Sequence, residues 1–137
     1  MERGYYFSRE DRPLKLLWIL RILLYVQTLL GLVRYFGPSV GLLLNPRLWE
    51  THISLGVIIA LLAIYALRPL PEVPTAPIRT VARFLPLAPL ALGLGFLAGL
   101  PTGPLVIVHM LLGLAAVGSV EMAAARQRRA LSTASQK

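Results

Sequence analysis

Four long apolar runs constrain the fold of this chain more than any other feature. They cover residues 14–35, 49–67, 84–100 and 104–125. Each is close to the roughly 20 residues that an α-helix needs to cross about 30 Å of bilayer hydrocarbon. Helices are expected because backbone groups in lipid can hydrogen-bond only to one another. The sequence therefore predicts an all-α membrane protein: one four-helix transmembrane bundle over residues 1–137.

The charged residues predict how this bundle is oriented. Of the 14 Lys and Arg residues, eleven lie before the first run or in its first two residues, between the second and third, or after the fourth. The positive-inside rule then places both termini and the Pro-rich link 68–83 in the cytoplasm. The net charge of +8 is accordingly assigned to topology and to attraction by anionic membrane lipid, and not to nucleic-acid binding. We expect a multi-pass protein of the cell (inner) membrane.

Other residues restrict the chemistry and the shape of the bundle. The chain has no cysteine, which excludes disulfides, thiolate catalysis and iron–sulfur clusters. The third run contains Pro86 and Pro89, which predict a kinked helix. The four residues from Pro101 to Pro104 then allow only a tight antiparallel connection.

The two histidines of the chain begin the same five-residue pattern, His52-Ile-Ser-Leu-Gly56 and His109-Met-Leu-Leu-Gly113. An ionisable side chain inside a membrane span is costly and marks a candidate functional site. One complete span separates the two histidine helices, so they run in the same direction. Both rings should therefore lie about one turn below the outer surface, where they can face each other across the bundle.

A haem iron is the partner that best suits such a pair of histidines. Neutral imidazole is a good axial ligand, and two of them leave no open coordination position, which favours electron transfer. Gly56 and Gly113, each one turn beyond its histidine, are expected to open a slot for the flat macrocycle. Arg34 and Arg47 are the cations expected near the outer surface, where the haem carboxylates would lie. The predicted cofactor is haem b, with the two histidines as its iron ligands.

Other interpretations of the histidine pair stay open. The rings could serve only in hydrogen bonds between helices, or they could bind a quinone. Zinc and copper are disfavoured, because two histidines without nearby Cys, Asp or Met offer too few ligands. For the whole chain, the alternatives to an electron-transfer protein are a haem-modifying enzyme and a haem-free accessory or anchor subunit. The partners considered are quinone, a larger electron-transfer complex and a second copy of the chain.

Two further charged residues lie inside the apolar runs. Arg21 is about 10 Å inside the first run and is expected to reach back to the cytoplasmic surface. Glu121 is in the last turn of the fourth run, and its expected partners are Arg68, Arg83 or Arg126. The sequence assigns neither residue a functional role.

Short segments of the chain resemble the haem A synthase family. Leu29-Leu-Gly31-Leu-Val-Arg34, followed by a loop and Trp49-Glu-Thr-His52, is similar to that family's first two helices. Val108-His109-Met-Leu-Leu is similar to its fourth helix. The family is built from four-helix units that carry one histidine on the second helix and one on the fourth. The resemblance implies that His52 and His109 match those haem ligands, and that Gly31 and Arg34 match the pattern at the end of the first helix.

The chain also departs from this family in several places. Members usually have an acid three residues before the histidine and an arginine directly after it, whereas here Glu50 is two before and Ile53 follows. The loop cysteines of many bacterial members are absent, and the chain is one unit instead of two. More loosely, the chain is similar to small membrane b-type cytochromes with two axial histidines.

Overall fold

The computed structural model describes residues 11–41, 45, 47–69 and 76–134. Five α-helices and one 3₁₀ turn occupy almost all of these residues. The helices are α1 (Asp11–Phe36), α2 (Arg47–Ala66), α3 (Pro77–Phe84), α4 (Leu87–Leu97) and α5 (Gly103–Ala134). Within the described residues, α3 and α4 count as one span, Pro77–Leu97, and four helical segments are long and apolar enough to cross a membrane. The predicted all-helical, four-span class is confirmed to that extent.

The ends of the helices follow from local chemistry. The 3₁₀ turn Gly37–Val40 after α1 ends at Gly41, whose φ of 76° is in the left-handed region that glycine adopts readily. Asn45 caps the start of α2, because its Oδ1 accepts a hydrogen bond of 2.9 Å from the Arg47 backbone N–H. After α4, Gly99 has a φ of 95° and turns the chain toward α5. Residues 42–44 and 46, between the 3₁₀ turn and α2, lie outside the described residues.

The third span begins earlier than the hydropathy predicts. Helix α3 starts at Pro77, a favoured first position, so residues 77–83 of the predicted cytoplasmic link are helical. Hydropathy misses this part of the helix because Arg79 and Arg83 lower the local average. Residues 70–75 of the link lie outside the described residues.

The predicted kink in this span is present as a break between α3 and α4. Pro86 and Pro89 lack the N–H groups that would continue the helical hydrogen-bond pattern. The backbone N–H of Ala88 bonds instead to the carbonyl of Leu85, three residues back, at 3.0 Å. The proline positions thus account for the interruption of the helix within one membrane-spanning segment.

The bundle has two halves of different packing. What we call the histidine half contains the α1–α2 loop and the α4–α5 turn. Over the whole bundle, α2 and α5 each pack against α1 and α4. Helices α2 and α5 are therefore diagonal to one another. In the opposite or arginine half, α3 packs against both α2 and α5.

The hydrophobic core is confined to the arginine half and the middle of the bundle. Its members are Leu17, Leu20, Leu24, Ile59, Ala63, Ala66, Leu67, Ala82, Val120, Ala123 and Ala124. By helix rise, the core residues nearest the histidine end of α1 and α2, Leu24 and Ile59, are about 18 Å from those helix ends. Helix α4, which lies in the histidine half, contributes no buried residue.

Arg79 holds the C-terminal end of α2 in place by hydrogen bonds. Its side chain is 5% exposed and donates to the carbonyl oxygens of Leu67 at 3.2 Å and Arg68 at 2.6 Å, and to Gln127 Oε1 at 2.8 Å. Arg83 donates in the same way to the Ile64 carbonyl at 3.0 Å. The last carbonyls of a helix lack helical partners, and a cation at this end is favoured by the helix dipole. These arginines join α2, α3 and α5 at the end of the bundle away from the histidines.

We predict that Arg79→Met lowers the free energy of unfolding by about 2–4 kcal/mol, because two buried acceptors and one part-buried acceptor lose their donor. Denaturant titration in detergent micelles, followed by helical circular dichroism, measures the change. Arg126→Met, at an exposed position in the same half, is the matched control and should change stability by less than about 0.5 kcal/mol. Equal effects of the two substitutions would contradict the assigned role of Arg79.

Candidate functional site

The two histidines lie next to each other in the histidine half. His52 is five residues after the start of α2 and His109 is six after the start of α5, so both are about 8–9 Å from the ends of their helices. The centroids of their rings are 6.2 Å apart, and the ring planes make an angle of 58°. Both side chains are half-buried. The sequence-based expectation that the rings meet across the bundle at one depth agrees with this arrangement.

Each histidine ring rests against a glycine of a neighbouring helix. A Cβ atom added to Gly31 of α1 would lie 3.2 Å from His52 Cε1, and one added to Gly93 of α4 would lie 3.2 Å from His109 Cε1. Both distances are shorter than ordinary carbon–carbon contacts, so a larger residue would displace the rings. The two halves of the chain thus repeat one arrangement, in which a glycine of the preceding helix supports the histidine of the next.

The glycines one turn beyond the histidines have different surroundings from those predicted. Gly56 faces α1 and α4, and an added Cβ would lie 3.1 Å from Gln27 Nε2 and 3.6 Å from Leu90 Cδ1. The space that Gly56 leaves therefore takes the Gln27 amide, which is held there by a 2.9 Å hydrogen bond from Nε2 to the His52 carbonyl. Gly113 has no atom within 4 Å of its added Cβ and does leave open space.

The ring nitrogens have unused hydrogen-bonding capacity. Nδ1 of His52 and Nδ1 of His109 are both buried and lack a hydrogen-bond partner among the described residues. The His109 ring lies beside the Pro89 carbonyl, outside the geometry of an ordinary hydrogen bond. On its other side is Phe96, with a centroid distance of 5.8 Å. The pair is therefore polar, partly enclosed and free of competing ion pairs within the described part of the chain.

The interior around the histidines is not filled by buried apolar side chains. No residue of α4 is buried, and the buried residues of α2 begin at Ile59. The level of the histidine pair therefore contains fewer buried side chains than the middle and the arginine half of the bundle.

The two predicted carboxylate-binding arginines lie at the same end of the bundle, where Arg34 contacts an aromatic ring and Arg47 is exposed. The Arg34 guanidinium is 5.7 Å from the centroid of the Trp49 ring, in a cation–π contact. Arg47 is exposed at the start of α2. Neither forms an ion pair within the described residues, so both cations are available for an anionic group near the surface.

The ligand set restricts which metal the site could hold. Within the described residues, no group of three or more His, Cys, Asp or Glu side chains is placed to hold a metal ion. A bare zinc ion generally needs four ligands, which two histidines do not supply. An iron ion already held by a macrocycle needs only the two axial ligands that these rings offer.

Gln27 and Gly93 are site residues that the sequence analysis did not assign. Gln27 is a polar residue within an apolar run, which was the available signal for a role of its side chain. Gly93 gave no such signal, because the third span contains three glycines at similar spacing. Its contact with His109 depends on how α4 packs against α5.

The charged pair deeper in the bundle corrects two predictions. Arg21 does not extend alone to the surface, and Glu121 does not pair with Arg68, Arg83 or Arg126; the two residues bond to each other, with Arg21 Nε 2.6 Å from Glu121 Oε1. Tyr25 donates to the same oxygen at 2.9 Å. The physical reason is that α1 packs against α5 at this level, which brings opposite charges together in an apolar medium.

For this pair we predict a favourable coupling free energy of roughly 1–2 kcal/mol, above that of an exposed ion pair, since both side chains are about one-quarter exposed, at 24% and 28%. A double-mutant cycle with Arg21→Met and Glu121→Gln, measured by unfolding in micelles, gives the value. Tyr25→Phe should weaken the coupling without abolishing it. Additive single effects would show that α1 and α5 do not depend on this contact.

Comparison with known proteins does not extend this description. No protein-family model, no curated protein and no solved structure matches the chain. The resemblance to the haem A synthase family therefore rests on the short motifs alone, and any function must be argued from the geometry of the histidine pair.

Proposed function

We propose that this protein binds one b-type haem between α2 and α5 and transfers electrons within a membrane. His52 and His109 would be the axial ligands of the iron. The observation that carries the proposal is the 6.2 Å separation of the two imidazole centroids, at one depth, on diagonal helices.

The separation matches what one metal ion between two imidazoles requires. With metal–nitrogen bonds of about 2.0–2.1 Å, two rings bound on opposite sides of an ion have centroids about 6.4 Å apart. The 6.2 Å separation of the His52 and His109 ring centroids is close to this value, which supports the proposal. Two histidines that only linked helices by hydrogen bonds would be expected to use their ring nitrogens, whereas both Nδ1 atoms lack partners among the described residues.

The surroundings of the pair also suit a large flat group. Gly31 and Gly93 bring backbone close to the rings without side chains, and Gly113 leaves open space on α5. The core of buried side chains stops before this level. A macrocycle placed there would supply the apolar contacts that α4 and the ends of α1, α2 and α5 lack.

The chain's own residues would define the chemistry of the site. Bound haem supplies a reversible one-electron couple at its iron. Two histidine ligands close both axial positions, so the protein would exclude oxygen and substrates from the metal and favour electron transfer. Arg34 and Arg47, at the same end of the bundle, would pair with the haem carboxylates.

Topology and partners complete the proposal. The positive-inside rule orients the arginine half toward the cytoplasm of a prokaryotic-type cell membrane, and the histidine half toward the outside. A quinone or a larger electron-transfer complex would then exchange electrons with the haem.

A haem-modifying activity would need haem as a substrate, and analysis of haem extracted from the protein would detect a modified product.

We predict that the purified protein has the reduced-minus-oxidised spectrum of a low-spin b-type haem. His52→Ala and His109→Ala should each abolish the low-spin signal, because one axial ligand is removed. Thr51→Val, beside His52 but exposed on the helix surface, is the matched control and should keep the native spectrum. A native protein that remains free of haem when haem is supplied during expression refutes the proposal.

Gly31 and Gly93, the glycines in contact with the histidine rings, allow a second and independent prediction. Gly31→Val and Gly93→Val should each reduce haem affinity at least about tenfold, because the added side chain enters the space of the ring that it contacts. Gly118→Val is the control, since Gly118 is exposed and its added Cβ meets nothing within 4 Å. Haem titration of detergent-purified protein measures the affinities. Similar losses in all three variants would indicate a general effect on the helices.

A further inference from the structure

Gln27 is the polar side chain in closest contact with the His52 segment. It projects from α1, and its Nε2 donates a 2.9 Å hydrogen bond to the backbone carbonyl of His52. Gly56 makes this approach possible, because a Cβ there would lie 3.1 Å from Gln27 Nε2. The amide is therefore held against the helical turn that carries the histidine.

This hydrogen bond fixes the direction of the other end of the amide. A carbonyl can only accept, so the Gln27 atom that faces the His52 carbonyl must be the NH₂ group. The amide oxygen, Oε1, then points away from that carbonyl. Gln27 Oε1 is buried and has no hydrogen-bond partner among the described residues.

His52 has a polar atom that could be the hydrogen-bond partner of this oxygen. Its Nδ1 is also buried without a partner in the described part of the chain. A buried acceptor and a buried potential donor thus remain unmatched on two residues that are already joined by a hydrogen bond. Buried polar groups are nearly always satisfied, directly or through one ordered water.

The second histidine has a different neighbour at the corresponding position. Gln27 is four residues before Gly31, and Pro89 is four residues before Gly93, so both are one turn from the glycine that supports a histidine ring. Beside His109 the oxygen comes from the Pro89 main chain. Proline has no side-chain acceptor, whereas Gln27 supplies one.

We propose that Gln27 is a positioning residue whose Oε1 holds the imidazole proton of His52 on Nδ1 and so leaves Nε2 free to bind iron. The two atoms are not hydrogen-bonded in this structure, so the proposed contact requires a rotation of the side chains or one bridging water. In its ligand role this inference rests on the proposed haem function. The proton position itself is a property of the chain without haem and can be tested separately.

For a bound haem, the consequence would be a change in midpoint potential that acts through His52, one of its two ligands. A hydrogen bond from Nδ1–H to an acceptor orients a ligating histidine and raises its basicity. A more basic ligand favours ferric over ferrous iron. Gln27 would thereby lower the midpoint potential through His52, at a position where a single side-chain substitution can remove the effect.

The first test is made on haem-free protein. The chain has two histidines, so one substitution is enough to assign their signals. Nitrogen-15 NMR of histidine-labelled protein in micelles, at a pH where both rings are neutral, distinguishes the two ring tautomers. His109→Ala assigns the signals. In native protein we expect the His52 proton on Nδ1, although neutral imidazole in water prefers it on the other nitrogen.

Gln27→Met, similar in size and without the amide oxygen, should shift the His52 proton toward Nε2. Thr28→Val is the matched control; Thr28 is the next residue on α1, and its hydroxyl bonds within α1 to the Leu24 carbonyl. A native His52 with its proton on Nε2, or a Gln27→Met variant that keeps it on Nδ1, overturns the inference. If Gln27→Met does not fold, Gln27→Asn, which withdraws the oxygen, must give the same shift.

The second test is potentiometric titration of the haem-loaded protein. Gln27→Met should raise the midpoint potential, by 59 mV for each tenfold loss of preference for ferric iron. Gln27→Glu, which keeps an acceptor oxygen, should not raise it, and Thr28→Val should leave it unchanged. Equal shifts in the Met and Glu variants would assign the effect to packing and overturn the inference. Native protein with the Nδ1 tautomer but without haem would refute the proposed function and leave the Gln27 contact standing.

Discussion

The arrangement of this bundle depends on the need of polar groups in an apolar medium to find partners inside the protein. The polar side chains of the spans accordingly meet between helices. Arg79 binds the free carbonyls at the end of α2, Arg21 pairs with Glu121, and the Gln27 amide donates to the His52 carbonyl. Each contact fixes one helix relative to another. Apolar packing alone fixes helix positions only weakly, because apolar side chains can pack against lipid as well as against another helix. The two histidines are an exception, because they come together while their Nδ1 atoms have no hydrogen-bond partner among the described residues.

This exception coincides with a change in packing along the bundle. In the arginine half, the short helix α3 fills the space between α2 and α5, and small residues such as Ala63, Ala82 and Ala123 let the helices approach closely. In the histidine half, the break at Pro86 redirects the chain and α4 lies there without buried residues of its own. The histidine half thus combines two adjacent imidazoles with fewer buried side chains than the arginine half, and the proposed cofactor site rests on this combination.

The two histidine sites are related by the repeat in the chain but are not equivalent. Each ring contacts a glycine of the preceding helix, yet one side carries a glutamine and the other a proline one turn away. A proline there serves the helix break, while a glutamine can hold a ligand. We infer that the repeat supplies the symmetric positions of the rings and that these two residues make the chemical environments of the rings different.

The sequence by itself determined the helical class, the four spans, the kink near Pro86 and the common depth of the histidines, because hydropathy, proline geometry and helix rise are local properties. It did not determine the start of α3, since Arg79 and Arg83 look like surface cations until helix packing buries or half-buries them. It assigned Arg21 and Glu121 to wrong partners for the same reason. Only the tertiary structure decided that Gly31 and Gly93 support the rings and that Gly56 accommodates Gln27. Which residues of different helices share a contact depends on the rotation and pairing of those helices, and these are set by packing across the bundle and are not encoded at any single position along the chain.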